Sequence, residues 1–249
     1  MLEITYNFIL IPFTIIGIIT FFILLKVTAP YGKFSKKNWG PNISYKLGWF
    51  LQEVISLITF SYFFLTGSIE HKSIAWLFFM IWNMHYFNRS IIYPLRKKED
   101  SLCPLIIVLF AIIFNLINGF INGFYLGNLH QYNIEYILSA KFIVGSFIFI
   151  LGLVINMVSD NILLKLKRID NTYKVPEGFL YNYISCPNYF GEIIEWTGFA
   201  IMTWSVPGLI FALWTFFNLV PRAVSHHKWY ISNFEDYPKS RKAIIPFIL

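Results

Sequence analysis

Apolar residues in this chain come in long unbroken runs, not in the alternating or one-sided patterns of soluble strands and helices. A helix needs about 20 apolar residues to cross a bilayer. Runs of that order lie near residues 4–25, 47–66, 74–93, 104–126 and 136–158. A Pro-Gly pair splits the last apolar block into 190–204 and 208–220. The pattern predicts an all-α polytopic membrane protein, a bundle of seven transmembrane helices. The sixth span is short and carries two glutamates. The longest polar stretch, 159–189, holds the breakers Pro176 and Gly178. The tail, 225–249, is polar and aromatic and ends in an apolar run from 244 to 249.

Composition agrees. The chain is 57% hydrophobic and 13% charged, against about 45–50% and about 25% in soluble domains. That gap excludes an ordinary soluble domain and a disordered chain. The formal charge of +7 would suit nucleic acid, but the bases sit in loops between apolar runs, so no nucleic-acid partner is expected. Seventeen of the 20 Lys and Arg fall on one side of a seven-span arrangement, Lys72 and Lys141 on the other, and Arg89 within a span. The positive-inside rule then puts the N-terminus outside and the C-terminus in the cytoplasm. The first run lacks a basic leader and a cleavage site, so it reads as a retained helix. Cys103 and Cys186 have no metal or CxxC spacing.

Ionisable groups inside apolar spans are costly and normally face a protein interior or a wet cavity. Glu53 sits beside Gln52 in the second span. His85, Tyr86 and Arg89 form a polar turn in the third. Asn156 and Asp160 are four apart and share a helix face, and Asn188, Glu192 and Glu195 crowd the sixth span. Each could simply pair with a neighbouring helix, Arg89 with a glutamate for instance. Together with Lys167, Arg168, Lys174, Arg222 and His226 they suit a phosphate-bearing ligand, although loop bases are also the topology signal itself. No GxGxxG, P-loop or HExxH motif occurs. His226 and His227 adjoin, so they face different ways and make a poor metal pair; no metal is expected.

The run Asn188-Tyr-Phe-Gly-Glu-Ile-Ile-Glu-Trp196 and the tail Phe234-Glu-Asp-Tyr-Pro-Lys-Ser-Arg-Lys-Ala-Ile-Ile-Pro-Phe-Ile248 resemble the steroid 5α-reductase family, the 3-oxo-5α-steroid 4-dehydrogenases. Shorter matches keep the same order upstream: Trp49-Phe-Leu-Gln-Glu53, His85-Tyr-Phe-Asn-Arg89, Asn118-Gly119 and Ile155-Asn-Met-Val-Ser-Asp160. The resemblance implies a single seven-helix domain over 1–249, with 1–100 mainly on the substrate side and 101–249 mainly binding NADPH. Cytoplasmic loops would cover the cofactor. It also implies NADPH-dependent reduction of the 4,5 double bond of a 3-oxo-Δ4 steroid. An enone β-carbon accepts hydride only if its carbonyl oxygen is polarised as charge moves onto it. A neutral Glu53 carboxyl in an apolar span can donate a hydrogen bond to that oxygen. The family gives Tyr86 the same task, with Gln52 orienting Glu53 or the cofactor.

For the cofactor, the resemblance carries over Asn118, Asn156, Asp160, Asn188 and Glu192 to the nicotinamide amide and riboses. Arg222, His226 and Tyr230, spaced four and four, would face pyrophosphate and ribose. Trp196 would lie against the cofactor. Lys167, Arg168, Tyr173 and Lys174 occupy the stretch where a 2′-phosphate partner is expected. The chain departs from the family pattern at Phe179 after Gly178, at Lys174 in place of an arginine, and at Ser225 in place of a histidine.

A steroid or related lipid would enter a monomer from the bilayer. The membrane would be the inner membrane of a bacterium or the endoplasmic reticulum of a eukaryote. Other readings are reduction of another lipid enone or a trans-2-enoyl thioester, an S-adenosylmethionine-dependent methyltransferase of the same superfamily, and a transporter or receptor.

Overall fold

A computed structural model describes residues 1–30, 32–34, 39–70, 73–97, 101–169 and 173–249, without the side chains of 167–169. The elements are α1 (Leu2–Lys26), β1 (Asn42–Ser44), α2 (Tyr45–Leu65), α3 (Ala75–Phe87), α4 (Tyr93–Arg96), β2 (Leu102–Pro104), α5 (Leu105–Phe124), α6 (Ala140–Ile169), α7 (Pro187–Thr203) and α8 (Val206–Asn233). They form two compact units: Met1–Leu10 with Pro30–Ser139, and Ile11–Ala29 with Ala140–Leu249.

In the first unit β1 pairs antiparallel with β2, Ile43 opposite Cys103. Each strand runs straight into a helix, and the Ser44 hydroxyl accepts from the Leu47 N–H at 3.2 Å to cap α2. This ribbon is absent from the apolar pattern, because three-residue strands leave no period to read. Gly119 and Gly123 on α5, and Gly127 in the π-helical turn after it, face the α2 backbone at Ser56, Phe60 and Phe64. Both series rise together, so α2 and α5 run parallel. A side chain on Gly123 would occupy the space of Phe60 backbone atoms, which is why a small-xxx-small stripe stands here. Helix α3 packs on α2 through a Phe60–Trp82 stack at 4.5 Å. It continues through a π-helical turn, Asn88–Ile92, into α4.

The second unit is built on α6 against α7. Gly145 and Gly152 abut Met202 and Glu195, while Gly191 and Gly198 abut Asn156 and Phe149. The opposed numbering makes the pair antiparallel, and four glycines let the backbones meet. Helix α7 ends at Trp204 in the left-handed region, φ 48. Ser205 then caps α8, its hydroxyl accepting from the Gly208 N–H at 3.1 Å. Within this unit the Trp214 indole donates to the Phe13 carbonyl at 3.0 Å.

Five helical segments are long and apolar enough to cross a membrane: Leu2–Lys26, Tyr45–Leu65, Leu105–Leu129, Ala140–Leu166 and Val206–Asn233. The chain is therefore all-α and polytopic by these segments, five where the apolar runs gave seven. The two other apolar runs lie on shorter helices. Helix α3 is 13 residues before its π-helical turn, and α7 is 17 residues bounded by Pro187 and the left-handed Trp204.

Candidate active site

Glu53 lies one turn after Trp49 and two turns before Phe60, on one face of α2. Tyr86 lies one turn after Trp82 and three residues before Arg89. The Trp49 indole donates to the Arg89 carbonyl at 2.9 Å, and Phe60 stacks on Trp82. Glu53 and Tyr86 thus occupy facing helices between two contacts that fix both. Gln52 Nε2 donates to Glu53 Oε1 at 3.2 Å, and Asn115 Nδ2 holds the Gln52 carbonyl at 2.7 Å. Tyr86 is 4% exposed, with the Trp82 and His85 rings 5.1 and 5.2 Å away. The Arg89 guanidinium lies over Trp49 at 4.8 Å and over Tyr93 at 5.0 Å. A carboxyl, its amide partner and a phenol therefore lie on the two helices that meet here, with Arg89, His85 and a Ser61–Asn83 hydrogen bond of 2.8 Å beside them.

Asn118 is fully buried on α5. Its Oδ1 accepts from Asn122 Nδ2 at 3.0 Å, and its Nδ2 has no hydrogen-bond partner among the described residues. A buried amide donor of this kind fits a carbonyl or carboxamide acceptor.

In the second unit, Asn156 and Asp160 meet the same residue from consecutive turns of α6. Asn156 Nδ2 donates to the Asn188 carbonyl at 3.0 Å, and Asn188 Nδ2 donates to Asp160 Oδ1 at 3.1 Å. Glu192 follows Asn188 one turn along α7. On α8, Arg222 Nη1 donates to Asn218 Oδ1 at 2.8 Å, and its guanidinium stands 5.7 Å from the Tyr189 ring. The His226 ring meets Tyr189 edge-on at 5.8 Å. Tyr230 is buried and stacks on Tyr237 at 5.3 Å. Tyr173 and Lys174 are exposed, with Tyr173 edge-on to Trp229 at 5.3 Å. These amides, carboxylates and cations fit the riboses and phosphates of a dinucleotide.

Three further residues complete the expected set. Trp196 is 1% exposed, enclosed by Phe211, Phe199 and Phe149 at 4.2, 5.6 and 6.3 Å. The side chains of Lys167 and Arg168 lie outside the described residues. Sequence reasoning passed over Asn115, Asn122, Ser185, Tyr237 and Arg241. Tyr237 and Arg241 stand in the familiar tail, but nothing in the local pattern marks the others. Burial raises the Tyr237 phenol above its usual range while its Ser185 hydrogen bond pulls it back. Among the described residues no group of three His, Cys, Asp or Glu side chains could hold a metal ion.

Residues 101–249 match the family model described as 3-oxo-5-alpha-steroid 4-dehydrogenase. A steroid 5-alpha-reductase of Gossypium hirsutum is 39% identical over 98% of this chain and 97% of its own length. The 3-oxo-5-alpha-steroid 4-dehydrogenase 1 of Rattus norvegicus is 36% identical over 91% of this chain and 88% of its own length. That of Homo sapiens is 34% identical over 88% and 85%.

Proposed function

This chain belongs to the 3-oxo-5-alpha-steroid 4-dehydrogenase family, and from that membership we propose that it reduces the 4,5 double bond of a 3-oxo-Δ4 steroid to the 5α product, using NADPH. The observation that supports the reading is that Glu53 on α2 and Tyr86 on α3 lie between the Trp49–Arg89 hydrogen bond and the Phe60–Trp82 stack that join these helices. Two hydroxyl-type donors there can grip the 3-oxo oxygen and stabilise the charge that builds on it. Gln52 holds the Glu53 carboxyl in one orientation, and Asn115 holds Gln52. NADPH, once held by the residues named below, would supply the hydride that the enone β-carbon accepts.

The same reading gives the cofactor's nicotinamide amide to Asn118. Its riboses go to Asn156, Asp160, Asn188 and Glu192, and its phosphates to Arg222, His226, Tyr230, Tyr173 and Lys174. Lys167 and Arg168 complete the basic set by sequence. Trp196 acts through packing, since its indole is enclosed. The steroid arrives from the bilayer, in keeping with five apolar helices, and the cofactor from the cytoplasm, in keeping with the loop charge. The N-terminus lies outside, the C-terminus inside, and the monomer is the working unit.

The test is NADPH oxidation by purified protein in detergent, with testosterone or progesterone and product identification by mass spectrometry. The reading expects a gain of two hydrogens with 5α geometry. Tight NADPH binding without steroid turnover would move the substrate to another lipid enone. Absence of NADPH binding would overturn the reading.

A further inference from the structure

Polar groups that the proposed chemistry leaves unused gather at one point of the second unit. Ser185, two residues before α7, is buried. Its Oγ stands 2.6 Å from His227 Nδ1, 2.5 Å from the Tyr237 hydroxyl and 3.1 Å from the Lys242 carbonyl. One proton arrangement satisfies all four groups. Tyr237 O–H and His227 Nδ1–H donate to Ser185 Oγ, and the Ser185 O–H donates to the Lys242 carbonyl.

The backbone repeats the connection. Ser185 N–H donates to the Lys242 carbonyl at 2.8 Å, Cys186 N–H to the Ala243 carbonyl at 3.1 Å, and Lys242 N–H to the Tyr183 carbonyl at 2.9 Å. The Tyr237 ring stacks on Tyr230 of α8, 5° from parallel. Arg241, itself buried, donates from Nη1 to the Pro176 carbonyl at 2.9 Å and lies over the Tyr237 ring at 5.3 Å. One tail segment thus ties together the 173–186 connection, the start of α7 and the far part of α8.

We propose that the tail segment 237–243 is a clasp, centred on Ser185 and Tyr237, that positions the first turn of α7 and the Tyr230 end of α8 for NADPH. The inference rests on the cofactor reading above. Asn188 follows Ser185 by three residues, and its carbonyl and amide both engage α6. A small displacement of that turn moves Asn188 and Glu192 together, and with them the polar groups proposed to hold the cofactor. Ser185 and Tyr237 are positioning residues; each acts through the backbone of α7 or the ring of Tyr230.

The experiment compares Ser185→Ala, Tyr237→Phe and their double variant, with Asn188→Ala as reference. It measures NADPH affinity by fluorescence, KM and kcat, and thermal unfolding. Tyr237→Phe keeps the ring stack on Tyr230, so it retains the fold even if Ser185→Ala does not. Each single variant is expected to weaken NADPH binding about tenfold, the usual cost of a broken buried hydrogen bond. The double variant is expected to lose no more than the larger single loss. Steroid KM, and kcat at saturating NADPH, stay at the parent values. Unchanged NADPH affinity in Ser185→Ala and Tyr237→Phe, with Asn188→Ala weakened, overturns the clasp alone. Unchanged affinity in Asn188→Ala overturns the cofactor reading, and the clasp with it.

Discussion

Trp49 and Arg89 lock α2 to the π-helical turn after α3 by two contacts between the same residues. The indole N–H donates to the Arg89 carbonyl at 2.9 Å, and the guanidinium lies back over the indole at 4.8 Å. A π-helical turn re-aims the residues beside it and often accompanies a functional site. Here it begins at Asn88, two residues after Tyr86, and the lock fixes α2, which carries Glu53, against the end of the helix that carries Tyr86.

Trp49→Phe keeps an aromatic face for Arg89 and Tyr45 but removes the indole donor, leaving the Arg89 carbonyl short of one partner. The expected stability loss is about 1 kcal/mol. A drop in kcat without a change in NADPH affinity should accompany it, read by thermal unfolding and steady-state kinetics. An unchanged kcat would mean the lock does not govern the pair.

Glu53→Gln preserves size but replaces the carboxyl with an amide. Turnover should fall by roughly 10²–10³-fold, the usual loss of an oxyanion-stabilising group. NADPH affinity should survive, since the proposed cofactor partners are other residues. Steroid-dependent NADPH oxidation at the parent rate would remove Glu53 from the mechanism.

Tyr86→Phe deletes one oxygen from a side chain packed on Trp82 and His85. The fold should hold, and kcat should drop by about 10²-fold if the phenol donates to the developing oxyanion. A rise in steroid KM with kcat intact would instead make Tyr86 a binding residue only.

Gly152→Ala would drive a methyl into the Glu195 backbone, at a cost of about 1–3 kcal/mol for overpacking. Its unfolding midpoint in detergent should fall by several degrees. Gly32 has φ +61 and open space around its missing side chain, so Gly32→Ala should cost only about 1 kcal/mol of backbone strain. Equal losses at the two positions would contradict the backbone-to-backbone packing of α6 and α7.

The parts of this arrangement that were readable in the sequence are local ones. Asn156 and Asp160 were placed on one face by their spacing, and both reach Asn188. Gly145 and Gly152, seven apart, marked a close helix approach that α7 fills. Residues joined only by tertiary folding left no such trace. The Ser185 network spans 42 residues to His227 and 52 to Tyr237, and no helical or strand period links those positions. Trp196 stood in a familiar run, but its packing against Phe149, Phe199 and Phe211 leaves no trace in local spacing. Five of the seven apolar runs lie on single helices long and apolar enough to cross a membrane, while the other two lie on α3 and α7, helices of 13 and 17 residues.

The most direct test of the central claim follows two hydrogens into the product. Purified protein is given testosterone with NADPH deuterated at the transferring C4 position, and separately with ordinary NADPH in deuterated water. If the chain reduces a 3-oxo-Δ4 steroid by hydride delivery to the β-carbon, the first product carries one deuterium at C5 and the second carries one at C4, both with 5α geometry. Steroid recovered unreduced, or cofactor deuterium found at C4 in place of C5, would contradict the account.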